Sequence, residues 1–586
     1  MKSGGGPAVP SIISERGEKT MNDSSFSEKP SFAGILFPGS DEMRHPVFTV
    51  KWEMRKEGAG SGDAAESLAK GEKCFDGSGA LQDYERAAEW FRKAADLGSA
   101  RACCYLGGMY SAGLGVREDP EEAARWFGKA ADLGDAMAQS SLGYLYLTGQ
   151  GVKKDEKAAL GWYLKAAEQG LPQAEAAAGG MYALGLGVRQ DYAESVKWYL
   201  KAAAKGYAPA EAVMGHRYRT GHGVTADYAE SVRWFRKAAE HGSTDAEHCL
   251  GEMYRDGSGV SQDYAEAFSW FSKAAEKGWA PAEHALGELY RFGHGVPEDH
   301  EKAAEWFRKA AEQGHDEAQY CLGDMYSLGL GVPYDMKEAV RWFRKSAEQG
   351  YVPAEHNLGE LLYTGNGVKQ DYSEALAWFR KAAAEGYALA ENSLGCMYMG
   401  GEGVSQDFAK AAELFRKANS HGYAKAALNL SSLYGSQDWP GHDPAEADRW
   451  LRTAAEQGVA YAQYSLAVMS YRGLGVPQDY SEALKWALKA AEQEYADAES
   501  MIGYMYHSGT GVRKDPREAV RWIRKAAEHG DPVSQYNLGM SCMKGDGVSK
   551  DVREGLGWMM KAAARGFPPA VSFISGISGG AENEKS

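Results

Sequence analysis

A chain of 586 residues is too long for one compact core, yet its 44% hydrophobic and 25% charged residues are those of a folded protein rather than a disordered one. A formal net charge of −16 repels phosphate backbones and anionic membrane surfaces, so nucleic acid is not an expected partner. No stretch approaches the roughly 18 apolar residues that a transmembrane helix requires.

Residues 1–60 are polar, with Gly, Pro and Ser clusters, and are expected to be mostly disordered. Within them Pro46-Val-Phe-Thr-Val-Lys-Trp52 reads either as linker or as a short strand or docking peptide. The opening run lacks the apolar core of a signal peptide. A cytoplasmic chain is expected, with leaderless secretion the other route and Met21 a second candidate start. The cysteines Cys74, Cys103, Cys104, Cys249, Cys321, Cys396 and Cys542 follow no paired spacing and read as reduced, mostly buried thiols.

From residue 63 a ruler appears. Trp stands at 90, 126, 162, 198, 234, 270, 306, 342, 378, 450, 486, 522 and 558, every interval being 36 except where Leu414 takes the Trp place. Residues 243–278 show the grammar. Ala246, Leu250, Met253 and Tyr254 share one face of a helix, here called A. Gly257-Ser-Gly259-Val260 is a turn whose glycines supply positive φ. Asp263 then caps a second helix, B, with the apolar stripe Tyr264, Ala267, Trp270, Phe271, Ala274, Ala275, and Gly278 ends it.

An Asp holds the cap position throughout, from Asp83 to Asp551, and Glu often follows three residues later, the Asp form of a capping box. Gly251 and its equivalents sit mid-helix, where Gly costs roughly 1 kcal/mol against Ala, so a neighbouring helix is expected to pass close by. The Trp of helix B is expected to be the large knob there, its truncation costing ~3–5 kcal/mol. A single helix pair cannot bury both its faces, so the pairs are expected to stack.

The predicted fold is therefore all-α: an α/α superhelical solenoid of fourteen tandem 36-residue helix-turn-helix repeats over residues 63–577, closed by a half-unit, with a disordered tail at 578–586. Repeat 1 looks like a cap, because Glu66 and Lys70 replace the apolar residues of helix A. One stretch breaks the grammar. Ser431 and Ala467 replace the helix A glycine, and the loop Gly435–Asp443 replaces the two-glycine turn; the stretch reads either as drift at constant length or as a hinge or specialised contact with Trp439 exposed.

The unit A-x3-LG-x-MY-x2-G-x-GV-x2-D-x6-W-x2-KAA-x2-G resembles the Sel1-like repeat, a relative of the tetratricopeptide repeat. The resemblance implies a right-handed α-solenoid and an adaptor or scaffold role. Proteins of this kind serve in quality control, cell-envelope machinery, signalling and contacts between bacteria and hosts. Some cysteine-rich members are secreted and linked to β-lactam binding, but the paired cysteines of that branch are missing here.

Chemistry is sparse. There is no Walker loop, HExxH, EF-hand loop or paired CxxC. Ser67–Lys70 and Ser541–Lys544 match Ser-x-x-Lys without an accompanying Lys-Thr-Gly, and no catalytic residue is assigned. The informative positions are those the repeat leaves free. Opposite the expected core of helix A they read His216, Arg219; His248, Glu252, Arg255; His284, Glu288, Arg291; Tyr320, Asp324; His356, Glu360, Tyr363. In the related tetratricopeptide fold helix A lines a concave groove, so these residues read as the docking groove for a protein or peptide, the alternative being a solvated helix face with no partner. His248 with Glu252, and His284 with Glu288, stand at i, i+4 as metal ligands do, but two donors per helix leave the shell unfilled, and neither metal nor cofactor is assigned. The expectation is a non-enzymatic, monomeric interaction scaffold. The alternatives are an exported protein acting on a host or cell envelope, and a hydrolase or metal-dependent enzyme of β-lactamase-like kind.

Overall fold

A computed structural model describes residues 62–77 and 82–583, with side chains described to residue 576; Pro46–Trp52 lies outside them. Every regular element among the described residues is a helix, and the helices come in pairs. The described residues divide into two compact bodies at Asp299/His300, the division falling inside repeat 7 between its A helix (Ala280–Phe292) and its B helix (His300–Glu312). Within each body an A helix packs on its own B helix, and that B helix packs on the next A helix. None of the described helices is long and apolar enough to cross a membrane.

Repeat 6 shows why these residues fold so. Helix 6A (Thr244–Asp256) stops at Gly257, φ 70°, and the turn continues through Gly259, φ 75°. The Asp263 carboxylate then accepts from the N–H groups of Ala265 and Glu266, at 2.9 and 3.0 Å, and opens helix 6B (Tyr264–Glu276). At the far end Gly278, φ 78°, lets the Trp279 N–H donate to the Ala274 carbonyl, the six-to-one bond of a Schellman ending. Glu494 occupies the equivalent place with φ 59° and is the one non-glycine residue with positive φ among those described.

The Glu three residues after the cap does not reach back to close a capping box. In several repeats it turns outward to the basic residue one helical turn on, as in Glu194–Lys197 at 2.7 Å and Glu230–Arg233 at 2.5 Å.

The knob in the glycine notch is not the tryptophan. A Cβ on Gly251 would lie 2.5 Å from the ring of Phe271, the residue after Trp270. The same clash recurs at Gly107 with Phe127, Gly215 with Phe235 and Gly359 with Phe379. These phenylalanines are fully buried, whereas most of the ruler tryptophans are half-exposed. Trp270 instead lies under the Lys273 ammonium, 3.7 Å from its ring centroid, and the pair repeats as Lys201 over Trp198 and Lys381 over Trp378. The conspicuous Trp ruler thus marks the rim of helix B, and the less regular residue beside it fills the core. The second glycine of each turn is pinned by the neighbouring repeat, since a Cβ on Gly259 would meet the Tyr228 carbonyl group at 2.4 Å.

A further ladder runs through the repeats. A residue of helix A, buried beside the core, meets a partner 30 positions later at the end of helix B. Glu175 meets Lys205 at 2.6 Å, Glu211 meets His241 at 2.6 Å and Glu499 meets His529 at 2.7 Å. In three repeats both members are Gln: Gln139 with Gln169, Gln319 with Gln349, Gln463 with Gln493. The two ends match because a buried charge needs a counter-charge, whereas a neutral amide needs only a complementary amide. Two repeats depart from this: Gln535 stands 30 positions before Arg565, whose guanidinium donates to the Gly530 carbonyl, and Glu355 faces Glu385; burial above all, opposed by Lys381 and helped by that second carboxylate, raises the Glu355 pKa above the ordinary value.

At the N-terminal end Glu66 and Lys70 are exposed and pair with each other at 2.7 Å. At the other end the closing helix, Pro568–Asn583, runs past the expected boundary at 577 into the stretch read as disordered tail. All seven cysteines are free, five of them buried.

Candidate functional site

Helix A is nearly enclosed, and the variable stripe is the side that solvent reaches. On helix 6A Ala246, Leu250 and Met253 are buried, whereas Tyr254 near the helix end is half-exposed, as are His248, Glu252 and Arg255. The stripe is also less open than its pattern implied. It lies along the seam between successive A helices, so its residues bond across repeats as well as facing solvent.

In the N-terminal body this seam joins helix 5A (Ala208–Thr220) to helix 6A. His216 Nε2 lies 3.0 Å from Asp245 Oδ2, and the Arg219 guanidinium donates to Glu252 at 3.0 Å. A second Arg219 N–H lies 3.3 Å from His216 Nδ1. Cys249, buried between them, holds its sulfur 3.9 Å from His216 Nε2 and 4.0 Å from Asp245 Oδ1. Burial pushes the Asp245 carboxyl up, but its bond to His216, with the nearby His248 and Arg219, outweighs that and holds it below the ordinary range. His248 packs its ring on Phe271, and Arg255 pairs with Asp256 at 2.7 Å. His284, Glu288 and Arg291 hold the matching half-buried positions on helix 7A.

In the C-terminal body the stripe runs over helix 8A (Asp316–Leu328) and helix 9A (Val352–Thr364). Tyr320 packs against Tyr351, ring centroids 5.3 Å apart, and its hydroxyl accepts from Asn357. Asp324 is half-buried one turn further on. Glu360 accepts from the Ser393 hydroxyl at 2.6 Å, and the Tyr363 hydroxyl donates to Glu402. Burial first, then Glu402, pushes the Tyr363 hydroxyl well above its ordinary pKa.

Two expectations are corrected. His356 is not on an open face; it is 5% exposed, wedged between Phe379 and Tyr387, and burial lowers its pKa. It turned inward because flat rings on both sides offer more contact than water does on the seam. Trp439 is not an exposed contact either. Its ring folds back on Tyr434, centroids 4.8 Å apart, and is half-buried against Ala447 and Trp450. The irregular loop encloses its own aromatic residue instead of presenting it.

The structure thus brings His216, Arg219 and Glu252 into one network in the N-terminal body, and Glu360 with His356 near Ser393 in the C-terminal body. Sequence reasoning missed Asp245, Cys249, Ser393 and Glu402. They lie one position beside the stripe, or a full repeat further on, so no single-helix periodicity groups them with it. The available signal was the spacing between repeats: 29 to His216 for Asp245, and 33 for Cys249 to His216 and for Ser393 to Glu360.

The Sel1 repeat model matches fourteen consecutive segments, from 63–99 to 532–567. A protective antigen present in uropathogenic Escherichia coli strains, displaying an SLR fold, is 35% identical over 77% of this chain and 97% of its own, with a TM-score of 0.59. A Sel1 repeat protein from Oxalobacter formigenes is 34% identical over 56% of this chain and 93% of its own, with a TM-score of 0.45. No curated protein matches. The motif that repeats across residues 63–567, the helix pairs it folds into and the similarity to the E. coli SLR structure agree: the chain belongs to the Sel1-repeat family.

Proposed function

We propose that this chain is a non-catalytic scaffold that binds a protein or peptide along its A-helix seams. The observation that carries the reading is a division of labour within the repeat. Its fixed positions are consumed by caps, notches and turns. The side chains that vary from repeat to repeat are the half-exposed His, Arg, Glu and Tyr of the seam. Arg and Tyr are the residue types that anchor protein interfaces, and a seam already tied by ion pairs presents them with little ordering entropy left to lose. Family membership supports the same reading, since helical repeat folds of this kind typically serve as interaction scaffolds.

The test is affinity capture with the full chain and with the triple variant His248→Ala, Glu252→Ala, Arg255→Ala, folding being checked by circular dichroism. The reading expects a specific partner to be lost with helicity intact. A partner list unchanged by the triple variant removes repeat 6 from the docking surface. The E. coli antigen of similar sequence adds a second reading, in which the chain is exported and meets a host. Fractionation of the producing cell and its medium tests that.

A further inference from the structure

We propose that the seam between repeats 5 and 6 is a binding site for a divalent transition-metal ion of the zinc type, held by His216 Nε2, an Asp245 carboxylate oxygen and Cys249 Sγ. The sequence offered only ligand pairs on single helices, which leave a coordination shell half empty. The structure adds a donor from the adjacent helix. Asp245 and Cys249 stand at i, i+4 on one side of helix 6A, and His216 reaches over from helix 5A.

The distances fit. Zinc bonds of about 2.0–2.3 Å at tetrahedral angles set donor atoms roughly 3.4–3.6 Å apart. Here the three separations are 3.0 Å between His216 Nε2 and Asp245 Oδ2, 3.9 Å between Cys249 Sγ and His216 Nε2, and 4.0 Å between Cys249 Sγ and Asp245 Oδ1. The two Asp245 distances belong to different oxygens of its carboxylate; with one donor atom taken from each residue, all three lie within 4.8 Å of one another, and rotation of the carboxylate and thiol draws them to the required spacing.

The donor chemistry selects the ion. One thiolate, one imidazole and one carboxylate suit zinc or cobalt and are a poor match for the all-oxygen shells of magnesium and calcium. Three protein donors leave the fourth position to water or to a group from a ligand. The charge balance allows a cation: Asp245 and Glu252 face Arg219, Glu252 also faces Arg255, which Asp256 and Glu288 offset, and the thiol turns anionic when it binds, releasing its proton. There is one cost. Coordination through Nε2 moves the ring proton to Nδ1, so Arg219 gives up its 3.3 Å contact there and keeps its 3.0 Å bond to Glu252. His248 and Glu252 lie close to the same sulfur and are the rival donor set.

The proposal stands apart from the docking reading, because it concerns the purified chain alone. The experiment is titration of the reduced, metal-stripped full-length protein with Co2+, followed by displacement with Zn2+. One equivalent of Co2+ is expected to give intense visible bands of a tetrahedral ion and a sulfur-to-metal charge-transfer band in the near ultraviolet. Cys249→Ser should abolish the charge-transfer band. His216→Ala and Asp245→Asn should each weaken Zn2+ by at least ~10-fold, since even outer partners of a metal site cost that much. His248→Ala should change affinity by less than either. Absence of the cobalt spectrum in the folded wild-type protein overturns the site. So does a spectrum that survives Cys249→Ser, or one that depends on His248 instead of His216.

Discussion

Repeat 6 and the stretch from Lys425 to Gly475 solve the same packing problem with different residues. In repeat 6 Gly251 leaves a notch and Phe271 fills it. In repeat 12 Ala467 fills its own notch, and the residue 20 positions on is Ala487; both are fully buried. In repeat 11 the pair is Ser431 and Leu451. The two-glycine turn that meets the neighbouring repeat at Gly259 is replaced at 435–443 by a loop closed over Trp439. At Gly475 a Cβ would find no backbone within 3.8 Å. The helix A residue of the buried ladder is here Ala427, which needs no partner. At Ala467 and Ala487 small answers small, so there the departure from the motif comes as a compensating pair, which is the behaviour of maintained packing.

The largest effect expected from this comparison is at the knob. Phe271→Ala should cost ~3–5 kcal/mol in urea unfolding, as for other fully buried aromatics, and Trp270→Ala distinctly less because its ring is half-exposed under Lys273. Equal losses at the two positions would return the Trp to the core. Next comes Gly251→Ala, expected to cost about 1–3 kcal/mol from overpacking against Phe271. Combined with Phe271→Ala it reproduces the Ala467–Ala487 arrangement, so the double variant should be more stable than the sum of the single losses implies. Strict additivity would mean that the two positions do not share a notch.

Most of the architecture was legible in the sequence because it rests on periodic residues with local causes. Asp263 caps because its carboxylate reaches its own helix, and Gly278 ends a helix because of its own φ; neither needs a distant partner to be recognised. What was not legible was directional. Trp270 and Phe271 are adjacent and both aromatic, and only the rotation of helix B decides which enters the notch. His356 and His248 occupy the same repeat position, yet the first is buried between two rings. The Glu–His and Gln–Gln ladder was readable in principle at its spacing of 30, but it joins a helix start to a helix end, where no single-helix pattern points. The site was the least legible part, since Asp245 and Cys249 gain meaning only from His216 on another helix.

Smaller effects sharpen the comparison at single residues. Glu494→Gly relieves a left-handed backbone that the other repeats give to glycine, and should raise stability by about 1 kcal/mol in the same unfolding assay. Glu355→Gln removes a buried carboxylate that faces Glu385. It also supplies an amide for the Ala347 carbonyl, as Gln319 does for Ala311 at 3.0 Å, a gain of about 1 kcal/mol at neutral pH. Because the folded-state pKa of Glu355 is raised, its burden is complete above that pKa and disappears below the unfolded one. The advantage of Gln over Glu should therefore shrink as the pH falls through the carboxylate range, which stability curves at neutral and acid pH will show.

The central claim is that the repeat spends its fixed residues on the fold and its free ones on a partner. Hydrogen–deuterium exchange of the full chain, with and without a captured partner, tests it most directly. The account predicts that added protection concentrates in the A helices that carry His216, His248, Tyr320 and Tyr363, with the Trp and Lys rims of the B helices unchanged. Protection concentrated on those B-helix rims would contradict it.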